Sequence, residues 1–244
     1  MDQDAYYRMV EVWNEKFWTR LGGPPPLEGK RCLDLGCGVG ALSINLVRRG
    51  AGEVVGVDPD AKRIAYAEGK RAELPAELAE RVGFRSVRLA ELVGGEPFDL
   101  IVSRDAFEHI HDLPEVVDEL VSLLKPGGLL YVGFGPLYNS PLGDHRLMGF
   151  GLPWFHLLLD KLRLGPWLLP DRWALVEREL NRMSYKAIRG TLYGSGLEIS
   201  HFEVNAGTSL PLRVFRALRR LPLMRELCSV NIYAILQKPA APGA

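Results

Sequence analysis

The sequence predicts an α/β fold built on a doubly wound, mostly parallel sheet. Short apolar runs bounded by Gly and Pro recur along the chain, and such runs are typical of strands buried on both faces. Amphipathic helical patterns separate these runs, and strands that alternate with helices form βαβ units and parallel sheets. At 244 residues the chain has the length of one large domain. We therefore expect a single domain over residues 1–244.

The first part of the chain predicts a lid helix followed by the core of the sheet. Aromatic and aliphatic side chains recur every three or four residues over 5–21, which indicates an amphipathic helix that ends at Gly22-Gly23-Pro24. The core of the domain is expected over 30–136. Its predicted strands are 31–35, 53–58, 83–89, 99–103 and 128–134, and its predicted helices are 41–49, 61–73 and 113–124.

The pattern changes after residue 136. Residues 137–182 are rich in Trp and Leu and are expected to form a helical cap inserted into the domain. Residues 183–238 are expected to close the domain. Their predicted elements are a helix over 184–193, strands over 197–204 and 229–237, and, between those strands, an amphipathic helix with five arginines over 212–227.

Composition excludes several classes of partner. Lys and Arg together number 30, as do Asp and Glu, so the net charge is zero and offers no basic excess for a nucleic acid. The 3 cysteines form no C-x-x-C pair, so we expect no disulfide framework, no metal site and a reducing, cytoplasmic setting. The acidic first residues do not fit a signal peptide, and charges interrupt the most apolar stretch, 152–169, so no membrane span is expected. The sequence does not decide whether the protein makes peripheral contact with a membrane surface.

The segment from Leu33 to Gly40 carries the strongest chemical signal. A predicted strand runs into a Gly-x-Gly-x-Gly turn and then directly into a helix. Glycines allow a ligand to approach the backbone closely, and the start of a helix offers free N–H groups. Asp58 ends the next predicted strand, twenty positions after Gly38, where a carboxylate can accept both hydroxyls of a ribose. The turn therefore indicates a cofactor that contains a ribose.

Asp34 indicates which cofactor this is. The third glycine falls one position earlier than in the dinucleotide fingerprint, and a carboxylate at Asp34 would repel a pyrophosphate. The same carboxylate would favour a cationic ligand, and S-adenosylmethionine carries a sulfonium, an ammonium and no phosphate. A nicotinamide cofactor remains the weaker alternative, and the structural interpretation of Asp34 is a turn acceptor.

The chain resembles the class I S-adenosylmethionine-dependent methyltransferases of the small-molecule type. The resemblance rests on four landmarks in order over residues 31–134. They are the glycine motif Leu33–Gly38, Asp58, the run Phe98–Ser103 with Phe107–Ile110, and Leu124–Leu130, which includes Lys-Pro-Gly-Gly. It implies a Rossmann-like sheet of seven strands whose last strand is antiparallel, with S-adenosylmethionine as the cofactor. The cap over 137–182 has no counterpart in this resemblance.

The resemblance also implies the residues that hold the cofactor. The implied contacts are Asp34, Gly36, Cys37 and Gly38 for the methionine part, Asp58 for the ribose, Pro59 for the adenine, and Ser103 and Arg104 for the wall of the cleft. An acid followed by a small residue usually meets the adenine after the third strand. Here Ala90 precedes Glu91, so that order is reversed.

The implied reaction is transfer of a methyl group to a small-molecule acceptor. A hydroxyl acceptor must lose a proton, and His145, in a turn-rich loop after the fifth predicted strand, is the predicted general base. His156 is the weaker candidate because its neighbours suggest packing, and His109 is interpreted as structural. Aromatic residues of the lid and cap predict a bulky, largely apolar acceptor, with O-methylation favoured. The alternative is a regulatory subunit that binds S-adenosylmethionine without catalysing transfer.

Overall fold

The computed structural model describes residues 3–240, and its centre is a seven-stranded sheet. The strands are β1 (Arg31–Leu35), β2 (Glu53–Val57), β3 (Val82–Arg85), β4 (Phe98–Arg104), β5 (Leu124–Phe134), β6 (Glu198–Val204) and β7 (Ile232–Gln237). Their order in the sheet is β3-β2-β1-β4-β5-β7-β6. The pairs among β1 to β5 are parallel, whereas β7 runs antiparallel to both β5 and β6. The predicted fold class is confirmed, including the antiparallel last strand.

Helices follow most strands. They are α1 (Gln3–Arg20), α2 (Ala41–Arg48), α3 (Ala61–Ala72), α4 (Ala76–Ala79), α5 (Leu113–Leu123), α6 (Phe155–Lys161), α7 (Gly165–Leu168), α8 (Pro170–Glu179), α9 (Tyr185–Gly194), α10 (Leu210–Leu218) and α11 (Met224–Leu227). Within residues 3–240, none of them combines the length and the apolar character that a membrane crossing requires.

Each face of the sheet has its own apolar core. One core packs α1, α2 and α3 against strand residues such as Cys32 and Val54, and the other packs α5 and α9 against Leu33 and Val55. Neighbouring residues of a strand point to opposite faces, so Cys32 and Leu33 enter different layers. All four of these strand residues are buried. Both faces of the sheet are therefore covered, as a doubly wound fold requires.

The segment between β5 and α9 forms α6, α7 and α8 around a small core that includes Leu159, Trp173 and Val176. Trp154, just before α6, donates its indole N–H to the carbonyl of Leu227 at 3.0 Å, which ties this segment to α11. The division of one domain into a lid, a core, a cap and a closing part stays a prediction. Residues 1, 2 and 241–244 of the expected domain lie outside the described residues.

Several observed elements differ from the predicted ones, since β5 begins four residues earlier, at Leu124, and β7 begins three residues later, at Ile232. β3 ends four residues earlier than predicted, and residues 89–92 form a single 3₁₀ turn. The arginine-rich helix predicted over 212–227 is divided, because α10 ends at Leu218 and α11 begins at Met224. Pro222 explains this division, since proline lacks an N–H and disfavours helical backbone in the preceding residue.

Candidate active site

A cavity of about 510 Å³ lies at the carboxyl ends of β1 and β4. The sheet order reverses at this point, because β2 and β3 extend from β1 on one side and β5 extends from β4 on the other. Ligands of open α/β sheets bind at such a switch point, and small-molecule sites have volumes of about 300–1,000 Å³. Predicted site residues in its lining are Gly36, Cys37, Gly38, Arg104 and His145.

The loop between β1 and α2, residues 36–40, forms one wall of the cavity, and we call it the glycine loop. Gly36 and Gly38 have φ angles of 73° and 52°, in the left-handed region that favours glycine. The Gly36 N–H donates to the carbonyl of Val57 at 2.8 Å, which fixes the loop to β2. A Cβ on Gly36 would lie 2.6 Å from the Cβ of Ala106, so a larger residue could not be accommodated there without movement.

Asp58 follows β2 and lies beside the glycine loop. Its carboxylate accepts the N–H of Gly38 at 3.0 Å and that of Asp60 at 2.9 Å. The residue is only 5% exposed and is not among the residues that line the cavity. Each carboxylate oxygen has two acceptor positions, so Asp58 keeps capacity for the hydroxyls of a ligand. Its role at a ribose stays a prediction.

Asp34 lies beneath the glycine loop and is not among the residues that line the cavity. It is 1% exposed, and its carboxylate accepts the hydroxyl of Ser43 at 2.6 Å. Burial raises the pKa of Asp34 to about 6, although the hydrogen bond from Ser43 acts in the opposite direction. At neutral pH the group still carries a negative charge, which would act on a ligand through the loop.

The residues predicted for the adenine lie outside the cavity lining. Pro59 and Ala90 are exposed. Glu91 is also exposed, and its carboxylate accepts the N–H of Arg88 at 2.9 Å, so it caps the 3₁₀ turn. The structure therefore does not bring these three residues together with the glycine loop in one cavity, and their contact with a cofactor stays a prediction.

Ser103 and Arg104 end β4. Ser103 is buried, and its hydroxyl donates to the carbonyl of Leu35 at 3.0 Å, which joins β4 to the end of β1. Arg104 lines the cavity, and its guanidinium donates to the carbonyl of Val10 at 3.2 Å and to the side chain of Asn14. Ser103 thus supports the cleft from beneath, whereas Arg104 connects the cleft to α1.

Helix α1 covers the cavity. Its residues in the lining, which share one face of the helix, are Tyr6, Val10, Trp13, Lys16 and Arg20. The buried Asn14 holds the helix in place, because its amide donates to the carbonyl of Ala41 at 3.0 Å while its oxygen accepts from Arg104. Farther along α1, Arg20 donates to the hydroxyl of Tyr233 on β7 at 2.6 Å.

The turn after β4 adds two carboxyl groups, Asp105 and Glu108, to the cavity. Glu108 is 4% exposed, and its Oε1 accepts the N–H of Gly135 at 3.0 Å. Its Oε2 has no hydrogen-bond partner among the described residues. Burial, with repulsion from Asp105 as the second cause, raises the pKa of Glu108 to about 8. Glu108 is therefore mostly protonated at neutral pH and holds an unused O–H beside the cavity.

Two histidines, His109 and His145, complete the lining on this side, with ring centroids 5.3 Å apart. The Nε2 of His145 lies 2.8 Å from the carbonyl oxygen of Pro136, and the Nδ1 of His109 lies 2.6 Å from that of Glu179. A carbonyl only accepts, so these nitrogens carry the protons, and the Nδ1 of His145 and the Nε2 of His109 are acceptors. Burial lowers the pKa of His145 to about 4, so its ring is neutral at pH 7.

A family model described as a methyltransferase domain matches residues 6–196, which run from α1 to the loop after α9. The chain belongs to this methyltransferase family. S-adenosylmethionine is the methyl donor, and the resemblance drawn from the glycine motif is confirmed.

The methyltransferase resembles its curated relatives in sequence over part of its length, and it resembles solved structures in fold over most of its length. It is 39% identical over 112 residues to a ubiquinone biosynthesis O-methyltransferase of Rhizobium etli, an alignment that covers 45% of this chain and 42% of that protein. The chain thus spans less than half the length of the curated relatives that it matches. A magnesium protoporphyrin IX methyltransferase of Synechocystis with bound SAH is 21% identical, with a TM-score of 0.60 and coverage of 94% and 83% of the two chains. An S-adenosylmethionine-dependent methyltransferase of Mesorhizobium loti is 18% identical, with a TM-score of 0.59 and coverage of 90% and 96%.

The cavity of the methyltransferase fits its donor. Where a Cβ on Gly38 would lie, no atom is found within 4 Å, so the glycine loop presents bare backbone to open space. Aromatic side chains of Tyr6 and Trp13 lie across from that loop, and the carboxylate of Asp58 lies directly behind it. Bare backbone and an aromatic surface are groups that suit a nucleoside with an amino-acid tail.

Among the cavity residues of the methyltransferase that were not predicted from the sequence as functional are Glu108, His109 and Tyr233. The position of Glu108 and His109 directly after β4, at the switch point, is a signal that could have identified both. Tyr233 gave no local signal, because it reaches the cavity only through the antiparallel placement of β7 beside β5.

Proposed function

We propose that this methyltransferase transfers a methyl group from S-adenosylmethionine to a hydroxyl of a bulky, largely apolar small molecule. The observation that carries the proposal is one cavity in which the glycine loop faces a wall of proton-handling side chains, Glu108, His109 and His145. Tyr6 and Trp13 give the same cavity an aromatic surface. The name O-methyltransferase of the aligned relatives supports a hydroxyl as the acceptor.

The glycine loop and Asp58 would hold the donor. The backbone of Gly36, Cys37 and Gly38 would contact its methionine part, and Asp58 would accept the ribose hydroxyls. The buried charge of Asp34 would favour a cation above the loop. When bound, S-adenosylmethionine supplies a methyl group on an activated sulfonium leaving group. The protein then has to align the acceptor with this methyl group. In well-oriented systems such alignment lowers the activation free energy by up to about 7–11 kcal/mol.

His145 would receive the proton of the acceptor hydroxyl. Its Nε2–H is held by the carbonyl of Pro136, so its Nδ1 is the free acceptor. Its low pKa keeps the ring neutral and ready to accept, although the ring is a weak base. The carboxylate of the adjacent Asp144, which acts to raise the pKa of His145, would stabilise the protonated ring. Glu108, as a neutral acid, would donate a hydrogen bond to the acceptor oxygen.

The test measures production of S-adenosylhomocysteine with a panel of phenols that carry apolar substituents. His145→Ala is expected to lower turnover by about 10²–10⁴-fold, the usual contribution of a general base. His111→Ala is the matched control, because His111 is exposed and lies outside this cavity. Turnover of the His145 variant within about tenfold of the parent would contradict its role as the base. Activity on amines but on none of the phenols would contradict the hydroxyl acceptor.

A further inference from the structure

Helix α10 carries an apolar face that points away from the protein. Leu210, Val214 and Leu218 recur every four residues and are 71%, 46% and 37% exposed. No residue of α10 is buried. Beyond the helix, Leu221 and Leu223 are 57% and 87% exposed. A surface helix normally turns its apolar stripe toward the core, so α10 has the opposite orientation. We call these five residues the α10 apolar face.

The other side of α10 holds the helix against the rest of the chain. Phe215 packs edge-on against Trp154, with ring centroids 6.3 Å apart. Arg219 donates to the hydroxyl of Ser229 at 2.7 Å, and Arg216 donates to the carbonyl of Asn205 at 2.7 Å. These contacts fix the rotation of the helix about its axis. The α10 apolar face is therefore exposed because of how α10 is attached to the fold.

Positive charge surrounds this face. Residues 205–225 contain five arginines and no Asp or Glu, a local net charge of +5 in a chain whose total net charge is zero. Arg213, Arg220 and Arg225 are exposed and take part in none of the ion pairs found among the described residues. At 3.6 residues per turn, Arg213 lies on the border of the α10 apolar face beside Leu210, and Arg220 lies in the turn after the helix, next to Leu221 of that face.

We infer that the α10 apolar face docks on an anionic lipid bilayer. An amphipathic helix with aliphatic residues on one face and arginines beside it lies in the plane of the membrane interface, where its apolar side chains enter the acyl boundary. The long side chains of Arg213 and Arg220 extend from the border of the face to the lipid phosphates. Exposed leucines alone would fit many partners, but leucines bordered by unpaired arginines complement a negatively charged lipid surface.

A second copy of the chain fits this surface less well. Most homodimers place the same patch of both subunits across a two-fold axis. Here that arrangement would bring the exposed arginines of both copies, Arg213, Arg220 and Arg225, together with no acidic residue in 205–225 to balance them. Juxtaposed like charges cost several kcal/mol at an interface. Anionic lipid instead supplies the opposite charge, and the inference does not depend on the acceptor or on the general base.

The experiment measures co-sedimentation of the full chain with unilamellar vesicles, without methyl donor. Vesicles of phosphatidylcholine and phosphatidylglycerol in equal parts are compared with vesicles of phosphatidylcholine alone. We expect binding to the anionic vesicles that weakens as salt is added, and much weaker binding to the neutral ones. Replacing Arg213 and Arg220 together by Gln should lower the partition coefficient for anionic vesicles on the order of 25-fold, about fivefold per arginine.

The triple variant Leu210→Ser, Val214→Ser, Leu218→Ser should lose vesicle binding and keep its thermal stability, because all three side chains are exposed. Val93→Ser is the matched control, since Val93 is equally exposed, at 46%, but lies far along the chain from α10. Absence of binding by the parent protein overturns the inference, as does equal binding by the triple variant. If light scattering detects a dimer in the parent protein and a monomer in the triple variant, the face belongs to a second copy of the chain. That result would also overturn the inference.

Discussion

The carboxyl group of Glu108 is buried with one oxygen bonded to a backbone N–H and the other without a partner in the described structure. Such a group is stabilised in its neutral form, because burial removes water from the charged form. Its pKa of about 8 has a consequence for folding as well as for the site. Below pH 4.5, its ordinary pKa, the group is protonated in both folded and unfolded chains. Between pH 4.5 and 8 the unfolded chain releases the proton and the folded chain keeps it.

We therefore predict that Glu108 makes stability fall as pH rises through this window, since the folded state binds the additional proton. Glu108→Gln removes the titration and keeps an oxygen for the N–H of Gly135. Relative to the parent, the variant should gain stability steadily from pH 4.5 to 8 in thermal unfolding. Glu77→Gln, at an exposed glutamate, controls for a change of surface charge. Parallel stability curves for the parent and the Glu108 variant would contradict the raised pKa.

Individual residues show where sequence alone succeeds and fails. The glycine loop was predicted at its residues because the order strand, turn, helix is local and glycine alone tolerates the left-handed φ at Gly36. Asp34 was implied as a contact of the methionine part, and the structure shows its carboxylate beneath the loop, bonded to Ser43. Whether a carboxylate faces a cavity or a hydroxyl on the next helix depends on the rotation of that helix, which no local pattern records. The burial of Glu108 depends in the same way on Gly135, 27 residues farther along.

Helix α1 packs into the apolar core through residues such as Phe17 and Trp18, and polar contacts near its middle add to this attachment. Asn14 is fully buried, donates to the carbonyl of Ala41 and accepts from Arg104. Removal of this amide leaves buried groups without partners, and hydrogen bonds that involve a charged group contribute about 1.5–3 kcal/mol. The same helix covers the cavity, so its attachment matters for the methyl donor as well as for stability.

We predict that Asn14→Ala lowers the melting temperature and weakens binding of S-adenosylhomocysteine. A loss of about 2 kcal/mol corresponds to a fall of roughly 4–8 °C for a chain of this size. Val12→Ala changes an exposed position of the same helix, 63% exposed, and should leave both quantities unchanged. Calorimetric titration and thermal unfolding of the two variants provide the measurement. Lower stability with unaltered ligand affinity would show that α1 does not help to form the donor site.

Elements with a strong apolar pattern were predicted nearly to the residue, and those shaped by tertiary contacts were not. β1 was predicted over 31–35 and is observed there, because its apolar residues Cys32, Leu33 and Leu35 are buried and the glycine turn follows directly. The single helix predicted over 212–227 failed at Pro222, although proline within a helical pattern is itself a signal for a break. The outward direction of the α10 apolar face could not be predicted, because periodicity identifies a face but not what the face meets.

The folded protein is expected to be stabilised by S-adenosylhomocysteine, the product that remains after the donor has lost its methyl group. A ligand that binds only the folded state at 100 times its dissociation constant adds about 2.7 kcal/mol of stability. For a chain of this length the melting temperature should then rise by about 5–10 °C with S-adenosylhomocysteine. NAD at the same concentration should cause no rise, because its pyrophosphate would meet the charge of Asp34 beneath the loop. A rise with NAD and none with S-adenosylhomocysteine would contradict the site described here.

The position of β7 affects the order in which the molecule can be assembled. β7 follows β6 in the chain but lies between β5 and β6 in the sheet, with ladders to both. During translation, β5 therefore emerges from the ribosome with an open edge, and β6 has no strand to join until residues 232–237 have also been synthesised. Open strand edges template aggregation. A nascent chain paused before residue 232 should consequently depend on chaperones that bind exposed strands, even though the glycine loop and the five parallel strands have already been synthesised.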